Sequence, residues 1–416
     1  MRKRAGSAVT IATLAGCLFL LAGCPGRLAE PAVVRPGVEV LITEAPDLLA
    51  GGRVGLITNQ TGVDSRGVST VDLLYRAPGV DLVALFGPEH GIRGEVTGGH
   101  HVGESRDPRT GLVVHSLYGA TRKPTPGMLR GIDTLVFDIQ DVGARFYTYI
   151  STMGYAMEAA AEAGIAFVVL DRPTPCGAVA VEGPIRQEQH KSFVALHPIP
   201  IVHGMTTGEL ARLLNAEFDI GVDLSVVRMR GWRREMHFEE TGLPWVPTSP
   251  NIRTPAAAEV YPGMGLVGET GAVWLGIGTP DAFQIAVAPW IDSGEMLAVL
   301  RSMPQTGYAY QACRATPGAG RYKGQSCRGV RIVPVPGRPL YPLHNAVNVI
   351  CALRRLHPEQ VAAVFTGERA AAFDLHAGTS RLREALFSST DPTVVADSWR
   401  ADVEAFELLR AKYLLY

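Results

Sequence analysis

Apolar runs recur along the first half of the chain at the length of short strands. They lie at residues 54–58, 80–86, 134–138, 166–171 and 199–203. Each is short, continuous and bounded by Gly, Pro or polar residues, which predicts strands buried on both faces of a parallel sheet. Between them the pattern changes to helical spacing at residues 70–75 and 149–163. Residues 210–218 form a third such stretch, opened by Thr206-Thr207-Gly208-Glu209, a capping signal. Alternation of this kind predicts a Rossmann-like, doubly wound, mostly parallel sheet. The residues after each run are polar: Asn59-Gln60-Thr61-Gly62, Glu89-His90, Gln140-Asp141, Arg172-Pro173 and His203-Gly204. In a parallel sheet these C-terminal ends share one rim, so distant loops are expected to line a single crevice.

The texture changes near residues 244–263, where Pro244, Pro247, Pro250, Pro255 and Pro262 argue against a continuous helix or central strand. A domain boundary is placed there, giving an α/β domain at 37–258 and a smaller α+β domain at 259–416. The second domain is expected to hold strands at 284–288 and 329–335 and helices at 346–356 and 394–415. At 416 residues the chain exceeds one ordinary core, which agrees with two domains.

The N-terminus follows a different logic. Arg2, Lys3 and Arg4 precede an apolar stretch at 8–21 that ends in Leu21-Ala22-Gly23-Cys24, the pattern of an export signal closing on a lipidation cysteine. About 14 apolar residues fall short of the ~20 that a spanning helix needs. Residues 1–24 therefore read as a lipoprotein signal with Cys24 as the lipidated residue, and 25–36 as a Pro/Gly-interrupted tether. An exported bacterial lipoprotein, held at the membrane through its lipid alone and facing the periplasm or cell exterior, is the expected placement. Cys176, Cys313, Cys327 and Cys351 show no metal-ligand spacing; a Cys313–Cys327 disulfide and free thiols both remain open.

A formal charge of −1, with no long run of either sign, argues against a nucleic-acid partner. No G-x-S-x-G elbow and no P-loop occurs, and Gly318-Ala319-Gly320-Arg321-Tyr322-Lys323-Gly324 lacks dinucleotide-loop spacing. What remains is carboxylate chemistry. Gly87-Pro88-Glu89-His90-Gly91-Ile92-Arg93-Gly94-Glu95 places two carboxyl groups, a histidine and an arginine in one broken loop. Glycoside hydrolysis needs such a pair, one group protonating the leaving oxygen. Glu89 is read as a general acid whose pKa is raised by partial burial, with His90 beside it and Glu95, or a carboxylate from another loop, as its partner.

The stretch from Asp138 through Gln140, Asp141 and Arg145 to Tyr147 and Tyr149 is rich in hydrogen-bonding groups and carries aromatics suited to sugar rings. One of its two aspartates is expected to be structural, paired with Arg145. His203, Glu182 and Asn251 are further polar candidates at loop positions.

Together these strings resemble the NamZ-type exo-β-N-acetylmuramidase family, known also as domain of unknown function 1343 and glycoside hydrolase family 171. The resemblance spans residues 37–416. Its most specific strings are Gly55-Leu56-Ile57-Thr58-Asn59-Gln60-Thr61-Gly62, the Glu89 loop, residues 138–149, Leu170-Asp171-Arg172-Pro173, Val181-Glu182-Gly183-Pro184, Ser249-Pro250-Asn251 and Tyr261-Pro262-Gly263. It implies a Rossmann-like N-terminal domain, a smaller C-terminal domain with a cleft where the two meet, and release of N-acetylmuramic acid from non-reducing ends of peptidoglycan fragments. The family's proposed catalytic glutamate falls on Glu89. One stretch departs from the pattern: after Glu269, Ala272 and Ile277 stand where relatives carry Asn and Arg.

The expected activity is thus an exo-acting glycosidase that needs no cofactor or metal. Its sugar contacts are expected from Asn59, Gln60, Arg93, Asp138, Gln140, Asp141, Arg145, Tyr147, Glu182, His203, Asn251 and Glu269. A non-catalytic sugar- or muropeptide-binding lipoprotein that retains the cleft is the alternative.

Overall fold

The computed structural model describes residues 33–89, 91–94 and 105–416. Cys24, His90 and Glu95 lie outside the described residues. Within them, strands β1 (Arg53–Thr58), β2 (Asp81–Gly87), β3 (Ser105–Arg106), β4 (Val113–Ser116), β5 (Thr134–Asp138), β6 (Ala166–Leu170) and β7 (Leu224–Val227) form one sheet in the order β3-β4-β2-β1-β5-β6-β7. All neighbours pair in parallel except β3 with β4. This is the doubly wound, mostly parallel sheet expected.

Side-chain alternation sorts the strand residues between two cores. Leu56, Val136 and Val168 face helices α1 (Gly37–Glu44) and α2 (Thr70–Arg76). Ile57, Phe137 and Phe167 face α3 (Tyr149–Ala163) and α4 (Thr207–Glu217). Both faces are apolar, so the strands read as unbroken hydrophobic runs. Each fully buried Phe contributes roughly 1.5–3 kcal/mol of transfer free energy.

Helix α4 starts on the expected capping box, with Thr206 and Glu209 bonding each other's backbone. The run at 199–203 is not a strand. It follows Pro198, includes Pro200, and makes only isolated bridges through Val202 to Ala144 and Glu182. The sheet's edge is instead β7, a short and half-buried segment. The expected tether also ends earlier than residue 36. Val34 is fully buried, and Arg35 bridges Arg230.

The second lobe begins with α5 (Pro255–Glu269), a helix that starts on Pro255 and continues through Pro262. Proline at the first helical position loses no bond, which is why residue 255 opens the helix instead of forbidding it. Strands β8 (Ile285–Ala288), β9 (Tyr308–Ala315) and β10 (Cys327–Pro334) form an antiparallel sheet in the order β8-β10-β9. Helices α6 (Ser293–Arg301), α7 (Pro342–Leu356), α8 (Pro358–Ala362), α9 (Gly367–Ala377), α10 (Arg381–Ser388), α11 (Pro392–Asp397) and α12 (Arg400–Arg410) complete it. The helix expected over 394–415 is therefore two, broken at Ser398-Trp399. Cys313 lies opposite Gly329 and Cys327 opposite Ala315, so the two thiols sit out of register, and all four described cysteines are free.

Close approach and buried charge join the lobes. A Cβ on Gly263 would stand 1.9 Å from the Pro342 carbonyl oxygen, so only glycine lets α5 pack this tightly on α7. Glu182, fully buried, accepts the Leu343 and His344 amides at 3.1 and 2.9 Å, and also bonds His344 Nδ1. A carboxylate from the first lobe thereby caps the N-terminus of α7 in the second.

Candidate active site at the sheet rim

The chain leaves β1 toward β2 on one side and reaches β5 on the other, so β1 and β5 flank the topological switch point where open α/β sheets place their crevice. The loops after these strands are tied together. Thr58 Oγ1 donates to the Asp138 carbonyl at 2.7 Å, and Thr61 Oγ1 accepts the Gln140 amide at 2.9 Å. Asn59 Oδ1 accepts from the Thr61 amide and hydroxyl, which fixes the turn.

Glu89 extends from the end of β2 and is half-buried. Two hydroxyls hold its carboxylate. Thr148 Oγ1 lies 3.5 Å from Oε2, and Tyr118, from the loop after β4, donates its phenol to it. Thr148 is the N-cap of α3 yet makes no cap bond to its own helix, so its hydroxyl is turned toward Glu89. The carboxylate consequently stands at the positive end of a 15-residue helix.

Behind Glu89 the rim is aromatic. Tyr147 meets Tyr149 edge-on at 4.9 Å and Tyr261 at 5.4 Å, and Tyr261 comes from α5 of the second lobe. Tyr149 donates to the Thr248 carbonyl at 2.8 Å. Burial first, and then the Glu89 charge, push the Tyr149 phenol up; burial and the carboxylates of Glu269, Glu89 and Asp141 are among the influences that raise Tyr261. The Asn59 amide and the Tyr147 hydroxyl lie beside the Tyr149 phenol without completing a hydrogen bond to it.

Asp141 lies in the turn after β5. Its Oδ2 accepts the Gly143 amide at 2.6 Å, while Oδ1 is buried with no partner. Burial raises this carboxyl to about 7, against the pull of the Gly143 and Val142 amides. Gln60 Nε2 donates to the Pro247 carbonyl at 2.9 Å, leaving its buried Oε1 unpaired.

The other expected site residues fall elsewhere. Asp138 is fully buried and accepts from Thr70 and from both Arg172 Nε and Nη2. The structural Asp–Arg pair is therefore Asp138–Arg172, and the expected Arg145 partner is corrected. Arg145 instead donates to the carbonyls of Pro184, Ile199 and His376, and burial lowers it to about 9. His203 is buried next to the Arg145 and Arg410 charges, and burial, followed by those charges, lowers it to about 3. Arg93 forks onto Asp107 at 2.9 and 3.0 Å and reaches Asp72. Gln140 donates to the Asp141 and Pro173 carbonyls. Asn251 accepts the Gly278 amide at 2.9 Å, and Glu269 ends α5. Ile277, at the departure from the family pattern, is 42% exposed.

The structure thus gathers Glu89, Asn59, Asp141 and Tyr147 around Tyr149, and sets Arg145 and His203 apart in a buried basic cluster. Tyr118, Thr148, Thr248 and Tyr261 complete the rim. Only Tyr261 carried a sequence signal, as part of Tyr261-Pro262-Gly263.

A carboxylate at the switch point, a wall of phenols and a second lobe closing on the same rim belong to a two-lobed α/β glycosidase. The family model for the exo-β-N-acetylmuramidase NamZ N-terminal domain matches residues 54–256, and that for its C-terminal domain matches 259–416. The chain belongs to the NamZ family. It is 42% identical over the full length of both chains to the peptidoglycan β-N-acetylmuramidase NamZ of Bacillus subtilis strain 168. A DUF1343 family crystal structure from Bacteroides fragilis NCTC 9343 superposes with a TM-score of 0.86 at 42% identity, covering 93% of this chain and 100% of that one. A second from the same organism gives 0.71 at 31% identity, covering 92% and 99%.

Proposed function

We propose that this chain is an exo-acting glycoside hydrolase that releases N-acetylmuramic acid from the non-reducing ends of peptidoglycan fragments, with Glu89 as the general acid. The observation that carries the reading is the placement of Glu89: a carboxyl at the switch-point rim, oriented by Tyr118 and Thr148, beside buried phenols that both lobes supply. The full-length likeness to a peptidoglycan β-N-acetylmuramidase supports the substrate class.

In this reading the sugar packs on the Tyr147 and Tyr261 rings, and Asn59, Gln60 and Asp141 bond its substituents. Glu89 transfers its proton to the glycosidic oxygen as the C1–O bond breaks. Arg145, His203, Arg93, Asp138 and Glu182 act at a distance by fixing the loops that carry these groups.

A chromogenic β-N-acetylmuraminide tests the assignment. Glu89→Gln is expected to lower kcat by about 10²- to 10⁴-fold, the usual worth of a positioned proton donor, with an unchanged melting temperature. Equal rates for variant and wild type would remove Glu89 from the chemistry. Wild-type binding without cleavage would favour a sugar-binding protein. Lipid attachment at Cys24, which places the enzyme on the outer side of a membrane, is proposed on the Leu21-Ala22-Gly23-Cys24 signal. The mass of the mature chain tests it; an unprocessed or unlipidated N-terminus is the contrary result.

A further inference from the structure

Asp138 and Asp141 leave the same strand end, yet only Asp138 has both oxygens bonded to side chains. A carboxyl retained for structure alone is normally satisfied on both oxygens, because burying it otherwise is costly. Asp141 keeps Oδ2 on the Gly143 amide and leaves Oδ1 buried and unpaired. The charges of Asp141 and Glu89 both act on the Tyr149 and Tyr261 phenols, so the two carboxyls flank the same pair of rings. Tyr147 stands between those rings in edge-on contact with each. The result is a small aromatic corner with one unpaired carboxylate oxygen and, across the phenols, the proposed proton donor.

The sugar expected here carries a 2-acetamido group on the carbon next to C1. Its methyl suits an aromatic corner, and its N–H needs an acceptor. Resting on the glycosidase reading above, we propose that Asp141 receives the acetamido N–H on Oδ1 and that the acetamido carbonyl oxygen, not a protein carboxylate, is the nucleophile at C1.

The step balances within the site. The acetamido oxygen bonds C1 as the bond from C1 to the leaving oxygen breaks. The leaving oxygen takes the proton of Glu89, and the amide proton passes to Asp141, so the cyclic intermediate is neutral. Water then adds to C1 and gives a proton to Glu89. The bond between C1 and the acetamido oxygen opens, and the amide nitrogen recovers its proton from Asp141. Two displacements at C1 retain the configuration. A carboxyl that burial holds near neutrality is matched to taking and returning one proton.

The test uses the full chain with 4-nitrophenyl β-N-acetylmuraminide and its N-trifluoroacetyl counterpart, whose acetamido oxygen is a poorer nucleophile. The first-formed product is expected to be the β-anomer by proton NMR, and the trifluoroacetyl substrate to be cleaved much more slowly. Asp141→Asn is expected to lower kcat by about 10²- to 10⁴-fold with KM little changed, and to remove the limb of the pH–rate profile near neutrality. An α-anomer formed first, equal rates for the two glycosides, or an Asp141→Asn enzyme with the wild-type profile overturns the inference while leaving Glu89 as the acid. A wild type that cleaves neither glycoside overturns the glycosidase reading and this inference together. The anomer and the substrate comparison need no variant, so they decide the matter even if Asp141→Asn folds poorly.

Discussion

The rim has a floor and a wall, and their polar groups differ in how fully they are bonded. On the floor, Asp138, Arg172 and Thr70 are buried and saturated, with Arg172 Nη2 also donating to the Val63 carbonyl at 2.8 Å. On the wall, Asp141 Oδ1 and Gln60 Oε1 are buried with nothing to accept. Both regions cost desolvation, but only the floor recovers it within the folded chain. The wall is costly unless something outside the chain completes it. The contrast separates groups that hold the loops from groups that await a sugar, a distinction that residue type alone does not make.

The largest effect that would sharpen this contrast is on the floor. Asp138→Ala leaves the Arg172 guanidinium buried without a counter-charge and is expected to cost about 3–5 kcal/mol in urea unfolding. A loss below about 1 kcal/mol would place the pair among weak surface bridges and break the comparison. The wall is expected to respond in the opposite direction. The Asp141 carboxyl is raised in the folded chain from 3.8 to about 7, so the folded state holds its proton more tightly and wild-type stability declines as pH rises across that window. Asp141→Asn lacks this decline and is expected to exceed wild type by roughly 1–3 kcal/mol at pH 8, with the difference vanishing near pH 4. A pH-independent difference would mean that the carboxyl titrates as it does in the unfolded chain. The smallest effect belongs to the satisfied sheet edge, where the Tyr416 phenol donates to Asp171 at 2.8 Å and accepts the Met229 amide at 2.8 Å. Tyr416→Phe is expected to cost about 1–2 kcal/mol with kcat unchanged, as read by thermal melting and the chromogenic assay.

Much of this was legible in the sequence where one strong signal acted alone. Strands β1, β2, β5 and β6 are continuous apolar runs, and their polar successors mark the rim because parallel strands must end together. Residues 199–203 show the same apolarity but lie between lobes with prolines at 198 and 200, and are buried under Arg145 instead of paired in the sheet. Helix α5 was obscured because prolines were weighed by number and not by position. In the site, Glu89 and Asn59 were legible as strand-end residues. Tyr118, Thr148 and Thr248 were not, since a hydroxyl in a loop carries no pattern of its own. The partner of Asp138 was misread because Arg145 is near in sequence, whereas Arg172 is near in space across β6.

The strap formed by residues 410–416 bears on how the molecule is assembled. Arg410 donates to the carbonyls of Ala178 and Gly204, Leu415 donates its amide to Glu209 at 2.7 Å, and Tyr416 reaches Asp171 across 245 positions of sequence. The first lobe is synthesised early, but its edge stays open until more than two hundred further residues have emerged. A fragment cut at the lobe boundary would therefore expose unclosed backbone along β7 and the 178–204 loop, and the early lobe must remain soluble through that interval without its fastening.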